Sequence, residues 1–120
     1  MRWTLFLVLL VVGCGGKFKP VNVATAQNAL MTTMESWKEG KSPGDLQDEN
    51  PPITVEELEW SRGAKLLDYD ILGDDKSVDE SLVAQVKIKL EMADGKVTEK
   101  TATYIVNTRP EVTVFRNMLR

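Results

Sequence analysis

The sequence predicts an α+β domain, an N-terminal helix packed on a curved antiparallel sheet of three to four strands. Three observations lead there. Apolar residues recur at three- and four-residue steps over 22–39, and apolar and polar residues alternate strictly over 84–92. Glycine and proline pairs then punctuate the second half of the chain at hairpin spacing.

Ahead of the domain, Met1-Arg2 carries one positive charge and precedes a run from Trp3 to Val12 in which Thr4 is the only polar residue. As a helix that run is about 15 Å long, half of what crossing a hydrocarbon core about 30 Å thick requires. It matches the apolar region of a signal peptide, followed by the small residues a cleavage site needs. Val11-Val12-Gly13-Cys14 resembles the bacterial lipobox. The resemblance implies acyl chains on the Cys14 sulfur, cleavage after Gly13 and acylation of the new N-terminus. Residues 1–13 are then a lipoprotein signal peptide, 14–21 a lipidated cysteine with a short Gly- and Pro-containing tether, and 22–120 a single α+β domain. One acyl chain holds a protein only reversibly, whereas two or three hold it durably. Gly15 follows the cysteine, where an aspartate would favour the inner membrane, so the resemblance implies the periplasmic side of an outer rather than an inner membrane.

Cleavage there removes 13 of 120 residues and leaves 107, one ordinary domain with enough chain for its own core. Cys14 is the only cysteine and histidine is absent. Disulfides and the Ser-His, Cys-His and His/Cys-metal chemistries are therefore excluded. The sequence calls for no catalytic residue, metal or cofactor, and leaves Asp, Glu, Lys and Tyr as the only groups for chemistry. Beyond Arg2 there are 14 basic and 18 acidic side chains, a balance that argues against nucleic-acid binding.

The helix over 22–39 carries Val23, Ala26, Leu30, Met34 and Trp37 on one face. Asn22 or Thr25 can cap it, and Gly40 lies just beyond its end. Ser42-Pro43-Gly44-Asp45 starts a second, short helical segment over 43–49, which Asn50-Pro51-Pro52 ends. The period then falls to two. Ile53-Thr54-Val55 reads as a short extended piece, and 64–72 as a strand. Ala84, Val86, Ile88, Leu90 and Met92 form the half-buried strand, Asp94-Gly95 its hairpin turn, 96–107 the next strand, and 111–116 the last one after Arg109-Pro110. Lys87, Lys89 and Lys100 are expected on the exposed sheet face, where lysines also discourage edge pairing.

The order of elements resembles the nuclear transport factor 2-like, or cystatin-like, fold. Met34-Glu35-Ser36-Trp37-Lys38-Glu39-Gly40, Pro51-Pro52-Ile53-Thr54-Val55, Trp60, Gly63-Ala64-Lys65-Leu66 with Tyr69, and Thr103-Tyr104-Ile105-Val106 are similar to small exported bacterial proteins of that fold with no assigned role. The resemblance implies a helix cradled by a bent sheet around a cone-shaped cavity, and dimerisation through the exposed sheet face.

Asp68, Asp70, Asp74 and Asp79 have some of the spacing of a calcium loop, but Leu72 and Asp79 stand where ligating oxygens and a bidentate glutamate belong. They read as solvent-facing acids on a strand and its turn. Glu56-Glu57, Glu59 and Trp60 read as a solvated acidic loop. Trp37, Trp60, Tyr69 and Tyr104 are the candidate lining of a ligand pocket. The functional expectation is a membrane-anchored, exported, non-catalytic binding or interaction module, with a protein partner or a second copy on the exposed sheet face. A small enzyme using a carboxylate or tyrosine in the cone, and a structural envelope protein, are the alternatives.

Overall fold

The structure is a computed structural model that describes residues 21–73 and 75–117. The segments read from the sequence as signal peptide and tether, with Cys14, lie outside the described residues except for Val21. No described helix is long and apolar enough to cross a membrane.

Helix α1 spans Val23–Lys38. Asn22 caps it through a 3.1 Å bond from the Thr25 N–H, and Gly40 leaves it at φ +89°, a conformation that disfavours any side chain with a Cβ. Ala26, Ala29, Leu30, Thr33, Met34 and Trp37 form its buried stripe. A 3₁₀ helix at Pro43–Asp48 follows, and the Asp45 carboxylate accepts from the Ser42 N–H at its start. Next come β1 (Ile53–Glu56), a single-turn α2 (Leu58–Ser61), β2 (Lys65–Ile71), β3 (Lys76–Val78), β4 (Ser81–Glu91), β5 (Val97–Asn107) and β6 (Val112–Arg116).

The α+β class and the helix-on-curved-sheet layout therefore hold, with two corrections. The sheet has six strands, in the order β1-β6-β5-β4-β2, and β3 pairs with β4 beyond the end of β2. It is also mixed, since β1 runs parallel to β6 while the other pairs are antiparallel. The first difference arises because β2 and β3 share one edge of β4, with Gly73 between them. The second arises because the 3₁₀ helix and α2 give the chain enough length to bring β1 alongside the last strand, a pairing that local periodicity does not report.

The inner face of the sheet holds the core. Leu82, Ala84, Val86, Ile88 and Leu90 of β4 meet Ala102, Tyr104 and Val106 of β5 and Val112 and Val114 of β6, all buried beneath α1. Gly95 closes the β4–β5 hairpin at φ +89°, and its N–H donates to the Met92 carbonyl. The strand edge at β1 is covered by Gln47, whose amide donates to the Ile53 carbonyl at 3.0 Å.

Candidate functional site

At the start of α2, inner-face side chains from β5 and β6 converge on two carboxylates. Glu57 is the N-cap of α2, and its carboxylate accepts from the Glu59 N–H at 2.8 Å. It also accepts from the Tyr104 hydroxyl and, at 2.9 Å, from Arg116. Arg116 reaches Glu59 at 2.8 Å, and Lys100 reaches the other Glu59 oxygen at 2.8 Å. Glu57 is 1% exposed, so the acid expected in a solvated loop sits in the core. Two acids and two bases make the cluster formally neutral, the condition under which buried charge is tolerable.

The electrostatics follow the contacts. Burial would raise the Glu59 carboxyl, but hydrogen bonds from Lys100 and Arg116, and their charges, outweigh it and hold it below the usual carboxylate range. Burial, then the charge and hydrogen bond of Glu57, push the Tyr104 phenol up despite Arg116. Burial would lower Arg116, yet its carboxylate partners raise it further above its ordinary value. A hollow of about 410 Å³ opens beside the cluster, lined by Val55, Glu57, Leu58, Phe115 and Arg116 among others.

The four aromatics proposed as a pocket lining separate into three places. Trp37 and Trp60 stack with ring centroids 5.3 Å apart and planes 13° from parallel. Each indole N–H donates to a carbonyl at 2.9 Å, Trp37 to Ala64 and Trp60 to Lys41. Both rings are almost wholly buried and belong to the core, and an open hollow of about 450 Å³ lies beside them. Tyr104 is fully buried in the carboxylate cluster. Tyr69 lies at the edge of the sheet, where its hydroxyl donates to Glu35 at 2.5 Å and Lys38 stands 6.0 Å over its ring. Burial, then Glu35, pushes this phenol up to about 12.

Sequence reasoning missed Glu57, Glu59, Lys100 and Arg116 as a unit. Part of the signal was present. Lys100 shares parity with Ala102, Tyr104 and Val106, and Arg116 with Val112 and Val114, so both belong on the inner face. Lys100 therefore does not join Lys87 and Lys89 on the exposed face, because it turns inward to Glu59. No sequence signal pairs these bases with the acids some 41 to 59 residues earlier.

The outer face has a different character. Val83, Ile105 and Phe115 lie half-buried in one cross-strand row. Toward the β2 edge, Asp68 and Asp70 flank Lys89 and Lys87 in register, and Glu99 stands across from Lys89. Of these charges only Asp68 has an ion pair among the described residues, a 3.7 Å contact with Lys38 of α1. Among the described residues no group of acids forms a metal-binding cluster. No family model matches the chain, and neither a curated protein nor a solved structure matches it significantly.

Proposed function

We propose that this chain is an exported lipoprotein, held at the periplasmic side of an outer membrane by acyl chains on Cys14, with a cystatin-like roll that serves as a non-catalytic interaction module. The carrying observation is the inner cluster. Three donors already sit on the Glu57 carboxylate, and Glu59, Arg116, Lys100 and Tyr104 are committed to one another. Groups so paired brace the fold and leave little capacity for proton transfer. The stacked tryptophans are almost wholly buried and offer little ring surface to a ligand. What the domain leaves available is its outer sheet face. The lipobox supports the anchor, and the order of helix and bent sheet supports the roll.

The reading is tested by mass spectrometry of the protein from its native host, together with in-cell cross-linking of the anchored chain and a Cys14→Ala variant. The expected mature chain begins at an acylated Cys14 and loses its cross-links when the anchor is removed. An intact Met1 with an unmodified sulfur overturns it. The enzyme alternative rests on one contact, Tyr104 on Glu57 beside the 410 Å³ hollow. It requires that Tyr104→Phe abolish a turnover while leaving the fold intact.

A further inference from the structure

Besides its outer sheet face, the domain leaves one edge of one braced side chain open. We propose that the hollow at the end of β1 binds a small zwitterion with an apolar side chain, of the α-amino acid class. The free edge of Arg116 holds its carboxylate and Glu56 holds its ammonium group. This goes beyond the outer-face reading and concerns a different part of the domain.

A guanidinium is a planar array of N–H donors that cannot lose its charge. Arg116 turns Nη1 alone to both internal carboxylates, at 2.9 Å to Glu57 and 2.8 Å to Glu59. Its Nε and Nη2 make no hydrogen bond among the described residues. They are not sealed in either, because Thr113 Oγ1 is the one buried side-chain polar atom that lacks a partner among those residues. The Arg116 side chain is 9% exposed and lines the hollow of about 410 Å³, so this edge is what it offers there. Nε–H and the neighbouring Nη2–H point the same way, the geometry that takes a carboxylate through two parallel hydrogen bonds. Glu57 and Glu59 already fix the guanidinium, so docking a ligand costs little of the ordering that a free arginine would lose.

The remaining walls set the other end of the ligand. Val55, Leu58 and Phe115 are apolar, and Leu58 is 39% exposed, so an apolar side chain laid against it removes oily surface from water. Charge then separates an anion from a zwitterion. Glu56, Glu57 and Glu59 stand against Arg116 and Lys100, three negative groups against two positive ones. A simple anion adds negative charge to a region already negative, whereas a ligand with its own ammonium group does not. Glu56 meets that group, since it lines the same hollow, is exposed and joins no ion pair among the described residues. The volume suits a small ligand. β1 is an edge strand and no described residue of α1 lines the hollow, so the site lies outside the space between helix and sheet.

The test is equilibrium dialysis of labelled leucine, valine, methionine and phenylalanine against the full-length chain in mild detergent. At least one of them is expected to saturate a single site at or below millimolar concentration. For the tightest binder, the amide lacks the carboxylate and the des-amino acid lacks the ammonium group. Each should bind at least tenfold more weakly, as should glycine, which lacks the apolar part. Leu58→Ala and Glu56→Gln alter exposed residues, and thermal unfolding checks that both remain folded. Leu58→Ala should weaken the amino acid about tenfold. Glu56→Gln should weaken the amino acid severalfold without weakening the des-amino acid, a split that a merely structural role does not produce. Arg116→Lys keeps the charge but not the fork, and should narrow the gap between acid and amide. Failure of all four amino acids to saturate overturns the site. An amide that binds as well as its acid removes Arg116 from it, and a des-amino acid that binds as well as the amino acid removes the zwitterion. Binding that neither Leu58→Ala nor Glu56→Gln weakens places the ligand elsewhere, and the proposal fails.

Discussion

The two faces of one strand differ more than any two elements of this protein. On β5, Lys100 and Tyr104 point inward and are each bound to a carboxylate, while Glu99 and Ile105 point outward, Ile105 half-buried and Glu99 exposed with no ion pair among the described residues. Residues one position apart in sequence thus live under different physics. Inside, a charge is present only because its partner is, since burying an unpaired ion costs several kcal/mol. Outside, solvent screens Lys87, Lys89 and Asp70, and their arrangement is free to serve recognition.

Substitutions break that comparison most strongly from the inside. Trp37→Ala removes half of the stacked pair and strands the Ala64 carbonyl, and is expected to cost about 3–5 kcal/mol in urea unfolding. Glu57→Ala leaves Arg116 leaning on Glu59 alone and removes the Tyr104 acceptor, at about 3 kcal/mol. A loss below 1 kcal/mol would mean that the cluster is not the brace described above. Lys87→Ala and Lys89→Ala, on the outer side of the neighbouring strand, should stay within about 0.5 kcal/mol.

Titration sharpens the same contrast. The Glu59 carboxyl is lowered in the folded state, so its contribution is complete above its ordinary value of 4.5 and is lost as pH falls through the lowered one. Glu59→Gln should therefore flatten the acid limb of stability against pH. The phenols behave in the opposite sense. Tyr69 and Tyr104 are raised above 10, so their contributions are complete below pH 10 and fade as pH rises through the folded values. For Tyr69 that window runs from 10 to about 12, and Tyr69→Phe should remove the part of the alkaline decline that lies in it. An unchanged slope in either variant would show that these contacts do not persist in solution.

Much of this arrangement was legible in the residues. The α1 stripe from Ala26 to Trp37, the alternation of Ala84 to Leu90, and the caps and turns at Asn22, Gly40 and Gly95 each express a local preference that the structure keeps. Lys100 reads as solvent-facing because a strand lysine ordinarily faces water, although its parity with Tyr104 directs it inward to Glu59. The fate of Glu57 was not available at all. Its neighbours Glu56 and Glu59 make the segment look solvated, and only Arg116 and Tyr104, brought in from β6 and β5, make its burial tolerable.

The sequence by itself determined the helix, the strands β2, β4, β5 and β6 and which of their residues share a side, because side-chain direction repeats every 3.6 residues in one and every two in the other. Tertiary structure alone decided that β1 would lie parallel to β6, that Trp37 would stack on Trp60, and that two acids and two bases would be brought together. Those outcomes depend on groups dozens of residues apart meeting at hydrogen-bond distance. A buried charge is stable only when its counter-charge arrives from elsewhere in the chain, and no local pattern records that arrival.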